Sequence, residues 1–333
     1  MNRITIFLFS AIVLLLGIFI FKKTSVKSKT ETLREERSFI VEDADDIYKI
    51  LVASRDGKPA RLTRKGKDWY LEEGLLASPY VMEGILEVLT KARVQYVPDD
   101  KEVANKMAIM ATKGIKVEAY NKSDEMLLSY YIGGVTQNEK GTYFYKEGAD
   151  RSYVMEMSYG EVNIRQRFSL QYDDWKNRLI FNDRVDDITS VKVEYPRSPS
   201  HGFIIENKNG EFSINPASPD MPRIQRELKP DVFEKYLVMF KGVNFVEFNN
   251  RVTVKDSIMS HLPYLKSELV NRSGDTFTLS VWPKAMELMT PRQAHDFGDK
   301  INGYYAVNRN GDFGTVQQHI LIGMVAGYSD FYK

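Results

Sequence analysis

The sequence predicts an α+β protein with an N-terminal transmembrane helix followed by two tandem, duplicated domains of antiparallel sheet with packed helices. Three observations lead there. Residues 4–21 are apolar, with no charge and no proline. The rest of the chain is polar and rich in short stretches of apolar–polar alternation, the period of a half-buried strand. The order of elements over residues 39–157 recurs over residues 187–317. The boundaries expected are 1–23 for the anchor, 24–38 for a polar linker, 39–175 for the first repeat and 176–333 for the second.

The anchor comes first. As a helix, residues 4–21 would extend about 27 Å at about 1.5 Å per residue, close to a hydrocarbon core of about 30 Å. A helix satisfies its own backbone in lipid, which a lone strand cannot. Ile4, Phe7, Leu8, Ile12, Leu15, Phe19 and Phe21 would form the lipid-facing body. A cleaved signal peptide is the rival. It calls for a shorter apolar region and a small-x-small cleavage site, whereas Ile18, Phe19, Ile20 and Phe21 run straight into Lys22 and Lys23. An uncleaved anchor is therefore expected. Without cysteine, a lipid cannot be attached in its place. Lys22, Lys23, Lys27 and Lys29 follow the run and only Arg3 precedes it, which on charge alone would place the C-terminal side in the cytoplasm. A short basic tail retained inside argues for the opposite orientation, as does the family resemblance given below. The expectation is a single-pass inner-membrane protein with its soluble part in the periplasm.

Residues 22–37 hold almost no apolar side chain besides Val26 and Leu33, so they cannot bury enough surface to offset ordering entropy. They read as a linker. The net charge of +1 comes without a basic stripe, which argues against nucleic-acid binding. The absence of cysteine removes disulfides, thiol catalysis and cysteine-based metal sites.

Each repeat then opens after an acidic pair with an alternating strand, residues 47–52 in the first and 188–193 in the second. A hairpin follows. Residues 61–64 turn at Lys65-Gly66-Lys67 into 68–71, and residues 203–206 turn at Lys208-Asn209-Gly210 into 211–214; Asn-Gly between alternating apolar residues is a strong hairpin signal. A helix started by proline comes next, at Pro79 and at Pro230. Val81, Ile85, Leu86, Val88 and Leu89 predict its buried face, and without a gap Val232, Tyr236, Leu237, Met239 and Phe240 fall at the same places. Strand-like stretches at 94–97 and 245–248 follow, then hairpins over 116–131 and 268–281, then strands at 142–145 and 303–307. Helical segments at 162–170 and 316–325 precede matched ends, Tyr172-Asp173-Asp174-Trp175 and Tyr328-Ser329-Asp330-Phe331.

Residues 175–181, Trp-Lys-Asn-Arg-Leu-Ile-Phe, pass from one repeat to the other. Taken with the single N-terminal span, the hairpin carrying Lys-Gly-Lys-Asp-Trp-Tyr-Leu at 65–71 and the proline-started helix with its 94–97 strand, this stretch resembles the bacterial DUF4340 family, a domain of unknown function. The family's Arg-x-Arg-x-Leu-Leu-x-Phe-like pattern is met imperfectly, since Lys176 takes the first basic position and Asn177 precedes Arg178. Some members are encoded beside ABC transporter components related to those of gliding motility. The resemblance thus implies an envelope accessory protein and names no catalytic residue.

The residues themselves offer no catalytic signature. The four histidines, His201, His261, His295 and His319, lack the spacing of a helical metal site. There is no nucleophile elbow and no phosphate loop. The clusters Asp43-Asp45-Asp46, Asp99-Asp100, Asp173-Asp174 and Asp186-Asp187 lack an EF-hand pattern and sit where Asp caps or turns the chain. No cofactor and no metal is expected. Tyr172, Trp175 and Phe331 lie in aromatic-rich stretches that read first as core and second as a partner surface. The apolar run 319–327 is too short to span a bilayer and reads as a buried helix, or as a docking site where its face is exposed. The function expected is that of a non-enzymatic accessory or scaffold subunit of a membrane complex, such as a transporter, secretion or gliding machine, whose partners are envelope or inner-membrane proteins. The alternatives are a glycan- or lipid-binding module and a carboxylate-dependent hydrolase of an envelope polymer.

Overall fold

The computed structural model describes residues 39–333 apart from 56, 100–108, 111, 148, 150, 161–162 and 285–302. The expected anchor, with Ile4, Phe7, Leu8, Ile12, Leu15, Phe19 and Phe21, and the linker both lie outside the described residues. Among the described residues no helix is long and apolar enough to cross a membrane. The chain forms two compact units, divided between Trp175 and Lys176.

In the first unit β1 (Lys49–Ala53), β2 (Ala60–Lys65) and β3 (Asp68–Leu71) form a meander. The helix α1 (Pro79–Lys91) then leads to β4 (Arg93–Tyr96), and the chain returns as β5 (Ile115–Tyr120), β6 (Met126–Val135), β7 (Thr142–Lys146) and β8 (Ser152–Glu156). The sheet order is β3-β2-β1-β5-β6-β7-β8-β4. The helix thus carries the chain from one edge of the sheet to the other. It starts at an Ser78 cap whose Oγ accepts from the Val81 amide at 3.4 Å, with Pro79 in the first turn where a missing N–H costs nothing. Met82, Ile85, Val88 and Leu89 are its buried stripe, and they pack with inward residues of the strands such as Ile50, Val52, Val117, Tyr130 and Phe144. The strands alternate as a half-buried sheet must: β1 buries Ile50 and Val52 and leaves Lys49, Leu51 and Ala53 half-covered.

The edge at β3 is closed. Residues 75–77 fold back on it, with the Leu71 amide donating to Leu75 O at 2.8 Å and the Ala77 amide to Trp69 O at 2.8 Å. The edge at β4 is short and carries an irregularity between Val94 and Tyr96. Both devices blunt strand addition. On the opposite face of the sheet Met110, from the return between β4 and β5, packs on Tyr143 and Val154.

The second unit begins with β9 (Leu179–Phe181) and then repeats the topology. Its strands are β10 (Ile188–Glu194), β11 (Phe203–Lys208) and β12 (Glu211–Pro216), followed by α2 (Val232–Leu237), β13 (Val243–Asn244) and β14 (Glu247–Phe248). The helix α3 (Lys255–Met259) precedes β15 (Leu265–Asn271), β16 (Thr276–Pro283), β17 (Tyr304–Asn308) and β18 (Phe313–Val316), and α4 (Gln318–Ile322) follows them. The sheet order, β12-β11-β10-β15-β16-β17-β18-β14, is that of the first unit position for position, and β13 pairs with β9 in a small separate sheet. Asn209 and Gly210 both take positive φ, 58° and 94°, so the hairpin between β11 and β12 closes through the left-handed turn its sequence predicts.

Both units are mostly antiparallel sheet with few helices, less helical than expected. Of the segment expected as a helix over 162–170, the described residues 163–170 hold a single 3-10 turn, Ile164–Arg167. The one over 316–325 is α4, only Gln318–Ile322. The helix expected to start at Pro230 starts instead at Val232, because Asp231 before it takes a left-handed φ of 54° that leaves Pro230 outside the helix. It is short as well, and after Leu237 it tightens into a 3-10 turn, Val238–Phe240. That tightening changes the angular register. Tyr236, Leu237 and Phe240 stay buried, while Met239, expected on the buried face, is exposed.

Candidate functional site

The matched ends Trp175 and Phe331 do the same structural work in each unit. The Ser78 amide donates to Trp175 O at 2.8 Å, and the Lys229 amide, also one residue before a proline, donates to Phe331 O at 2.9 Å. Trp175 is 2% exposed and Phe331 1%, each in its unit's core. The second reading of these two as a partner surface is therefore corrected: aromatic rings of that size are worth more buried beside the helix than held in water. Tyr172 is half-buried. Its ring lies under Lys58 Nζ at 3.8 Å and its hydroxyl donates to Glu73, which also pairs with Lys58. Tyr172 and Trp175 belong to the first unit and Phe331 to the second.

What the first unit does build is an open groove of about 830 Å³ along the solvent flank of α1. One wall is the helix, through Tyr80, Glu83, Gly84 and Glu87; the other is the 3-10 turn with Gln166, Arg167 and Leu170. Arg167 is clamped across the floor. Its Nη1 donates to Gly84 O at 2.9 Å and to Glu87 Oε2 at 2.8 Å. The Tyr159 hydroxyl also donates to Glu87 Oε2, at 3.0 Å. Residue 84 has no side chain at the place where the guanidinium meets the helix: a Cβ there would lie 3.6 Å from Arg167 Nη1. The Arg167 hydrogen bond holds the Glu87 carboxyl below the ordinary carboxylate range, against desolvation by its partial burial. Glu87 is thus a fixed, ionised acceptor. Arg165, on the same turn, is spent on the scaffold, donating to Ile132 O at 2.7 Å and Lys113 O at 2.8 Å.

The same place in the second unit is built differently. Counting from Pro79 and Pro230, Glu87 corresponds to Val238; counting from Trp175 and Phe331, Gln166 and Arg167 correspond to Ile322 and Gly323. Met239 lies against Gly323, where a Cβ would come within 2.7 Å of its Sδ. Val238, Met239, Ile322 and Val325 are all exposed, Ile322 to 65%. The 319–327 run is thus split: Leu321 and Met324 enter the core, while Ile322 and Val325 face water. One topology therefore carries a charged groove in one unit and an apolar flank in the other.

A second polar cluster lies on the outer face of the first sheet. Glu118 is buried between Lys116 at 2.9 Å and the Tyr120 hydroxyl at 2.6 Å. Burial pushes its carboxyl up, but those two hydrogen bonds outweigh burial and leave it lowered. Three of the acidic clusters are local caps and 3-10 turns: Asp43 accepts from the Asp45 amide at 2.8 Å, and Asp173, Asp174, Asp186 and Asp187 lie in 3-10 turns. Asp100 of the fourth lies outside the described residues. Among the described residues no group of three or more His, Cys, Asp or Glu side chains is placed to hold a metal ion. His295 lies outside them. No family model matches this sequence, and no curated protein and no solved structure matches it.

Proposed function

We propose that this chain is a non-enzymatic, membrane-anchored envelope protein, an accessory or scaffold subunit of a membrane complex, held in the inner membrane by residues 4–21 with its soluble units in the periplasm. The observation that supports it is the apolar flank of the second unit, Val238, Met239, Ile322 and Val325. The matched place in the first unit shows that the topology accepts an ion pair there, so folding alone does not call for these exposed side chains. An exposed apolar cluster is a common mark of a contact surface. The resemblance to DUF4340 and the apolar run at 4–21 add the location.

The hydrolase reading has less behind it. Glu83 and Glu87 do line one groove, one helical turn apart. But Glu87, held ionised by Arg167 and the Tyr159 hydroxyl, is engaged with those partners rather than aimed at a ligand as the base of such a pair would be.

The test is crosslinking in intact cells, followed by detergent extraction and purification of the full chain. The wild type should sediment with the membranes and bring down envelope proteins that Ile322→Glu loses. A wild-type chain recovered alone, or recovered from the soluble fraction, would overturn the proposal.

A further inference from the structure

The groove beside α1 has a chemistry that the fold does not demand. Of its polar groups only Glu83 recurs at the matched position of the second unit, as Glu234; Tyr80 corresponds to Asp231, Glu87 to Val238, Gln166 to Ile322 and Arg167 to Gly323. Arg167 reaches the helix backbone at Gly84 O, and Glu87 is fixed by two donors.

Three features limit what would fit. Tyr80, in the first turn of α1, is 85% exposed and offers an open ring at the rim. Glu83, Glu87, Lys91 and Arg167 bring two negative and two positive charges, so the lining has no net charge and selects neither an anion nor a cation. Gln166 and Thr90 add neutral donors and acceptors. An aromatic platform beside planar amide and carboxylate acceptors suits the apolar face and hydroxyl rim of a sugar ring.

We infer that this groove is a binding site for a neutral oligosaccharide, with Tyr80 as the stacking platform and Glu87 as the pre-oriented hydroxyl acceptor. The inference stands apart from the accessory-subunit reading, since it uses only the first unit and needs no protein partner. The Arg167 clamp matters here because an acceptor already locked in place loses no rotamer freedom when the ligand arrives.

The experiment is saturation-transfer NMR on the full chain in a detergent without sugar, with cellohexaose, maltohexaose and the hexasaccharide of N-acetylglucosamine as probes. At least one should receive saturation from the wild type. Tyr80→Ala should weaken binding about tenfold, the loss of one stacking contact. Gln166→Ala should weaken it too, while Ile322→Ala leaves it unchanged. Because Tyr80 is so exposed, its removal should leave the thermal midpoint in place, which separates lost binding from lost folding. The inference is overturned if none of the three sugars receives saturation, if Tyr80→Ala binds as well as the wild type, or if a sulfated oligosaccharide binds more tightly than the neutral ones.

Discussion

Arg167 lies along α1 beside Gly84, and two substitutions there should part company. In Gly84→Ala the new methyl would meet Arg167 Nη1 at an ordinary contact distance of 3.6 Å, so the gain in helix propensity should prevail. Stability should rise by about 0.5–1 kcal/mol, read by thermal melting. Gly84→Leu should displace the guanidinium, separate it from Glu87 and cancel that gain. A second residue-scale expectation concerns pH. Hydrogen bonds from Lys58 and Tyr172 hold the Glu73 carboxyl at about 2, against an ordinary value of 4.5. A lowered folded-state value means stability that is fully present above the ordinary value and lost as pH falls toward the lowered one. The loss should fall between about pH 4.5 and about pH 2. Acid titration of Glu73→Gln, followed by circular dichroism, should show a shallower decline over that window. The side chain of Glu73 is well exposed, so the contribution is small.

At the level of elements, each unit closes its core with the aromatic residue at the end of its last 3-10 turn. Trp175→Ala and Phe331→Ala should each cost about 3–5 kcal/mol, seen as a fall in the denaturation midpoint of the unit concerned. Polar substitution of Ile322 should cost almost nothing in the same assay, because its side chain already faces water. The hairpins, the helix start at Pro79 and the matched order of the two repeats were legible in the sequence, since turn chemistry and alternation are local signals. The start expected at Pro230 was displaced to Val232 by the left-handed turn at Asp231. The crossing of α1 to the far edge was not. The pairing of Val94 with Met155 joins strands far apart in the chain and leaves no local mark. The candidate groove was hidden for the same reason, because Glu87 and Arg167 are brought together only by the fold. The exposure of Met239 was hidden by a switch from α to 3-10 geometry that helical periodicity does not register.

For the molecule as a whole, the division falls between two adjacent residues. Trp175 is buried in the first core, while Lys176 pairs with Asp312 of the second unit at 2.6 Å, both side chains nearly buried. Breaking that pair by Lys176→Met strands a carboxylate, which should cost about 3 kcal/mol or more. Asp312 also accepts from Asn250 Nδ2 at 3.2 Å, so the change should loosen the turn at the start of β18. Hydrogen exchange at Phe313, whose amide donates to Asn250 Oδ1, would report it. A fragment ending just after Trp175 keeps every residue of the first core and should melt cooperatively by itself, whereas one ending at residue 160 should not.

The edge-to-edge helix crossover also dictates the order of events during synthesis. The meander β1–β3 can zip as it leaves the ribosome, but β4 emerges with no neighbour and must wait until the strand beginning at Ser152 has been made. The second unit repeats the delay, with Glu247 waiting for Thr315. A nascent chain of this protein therefore spends much of its elongation with one side of a sheet unfinished, the interval in which misfolding and chaperone capture compete with completion.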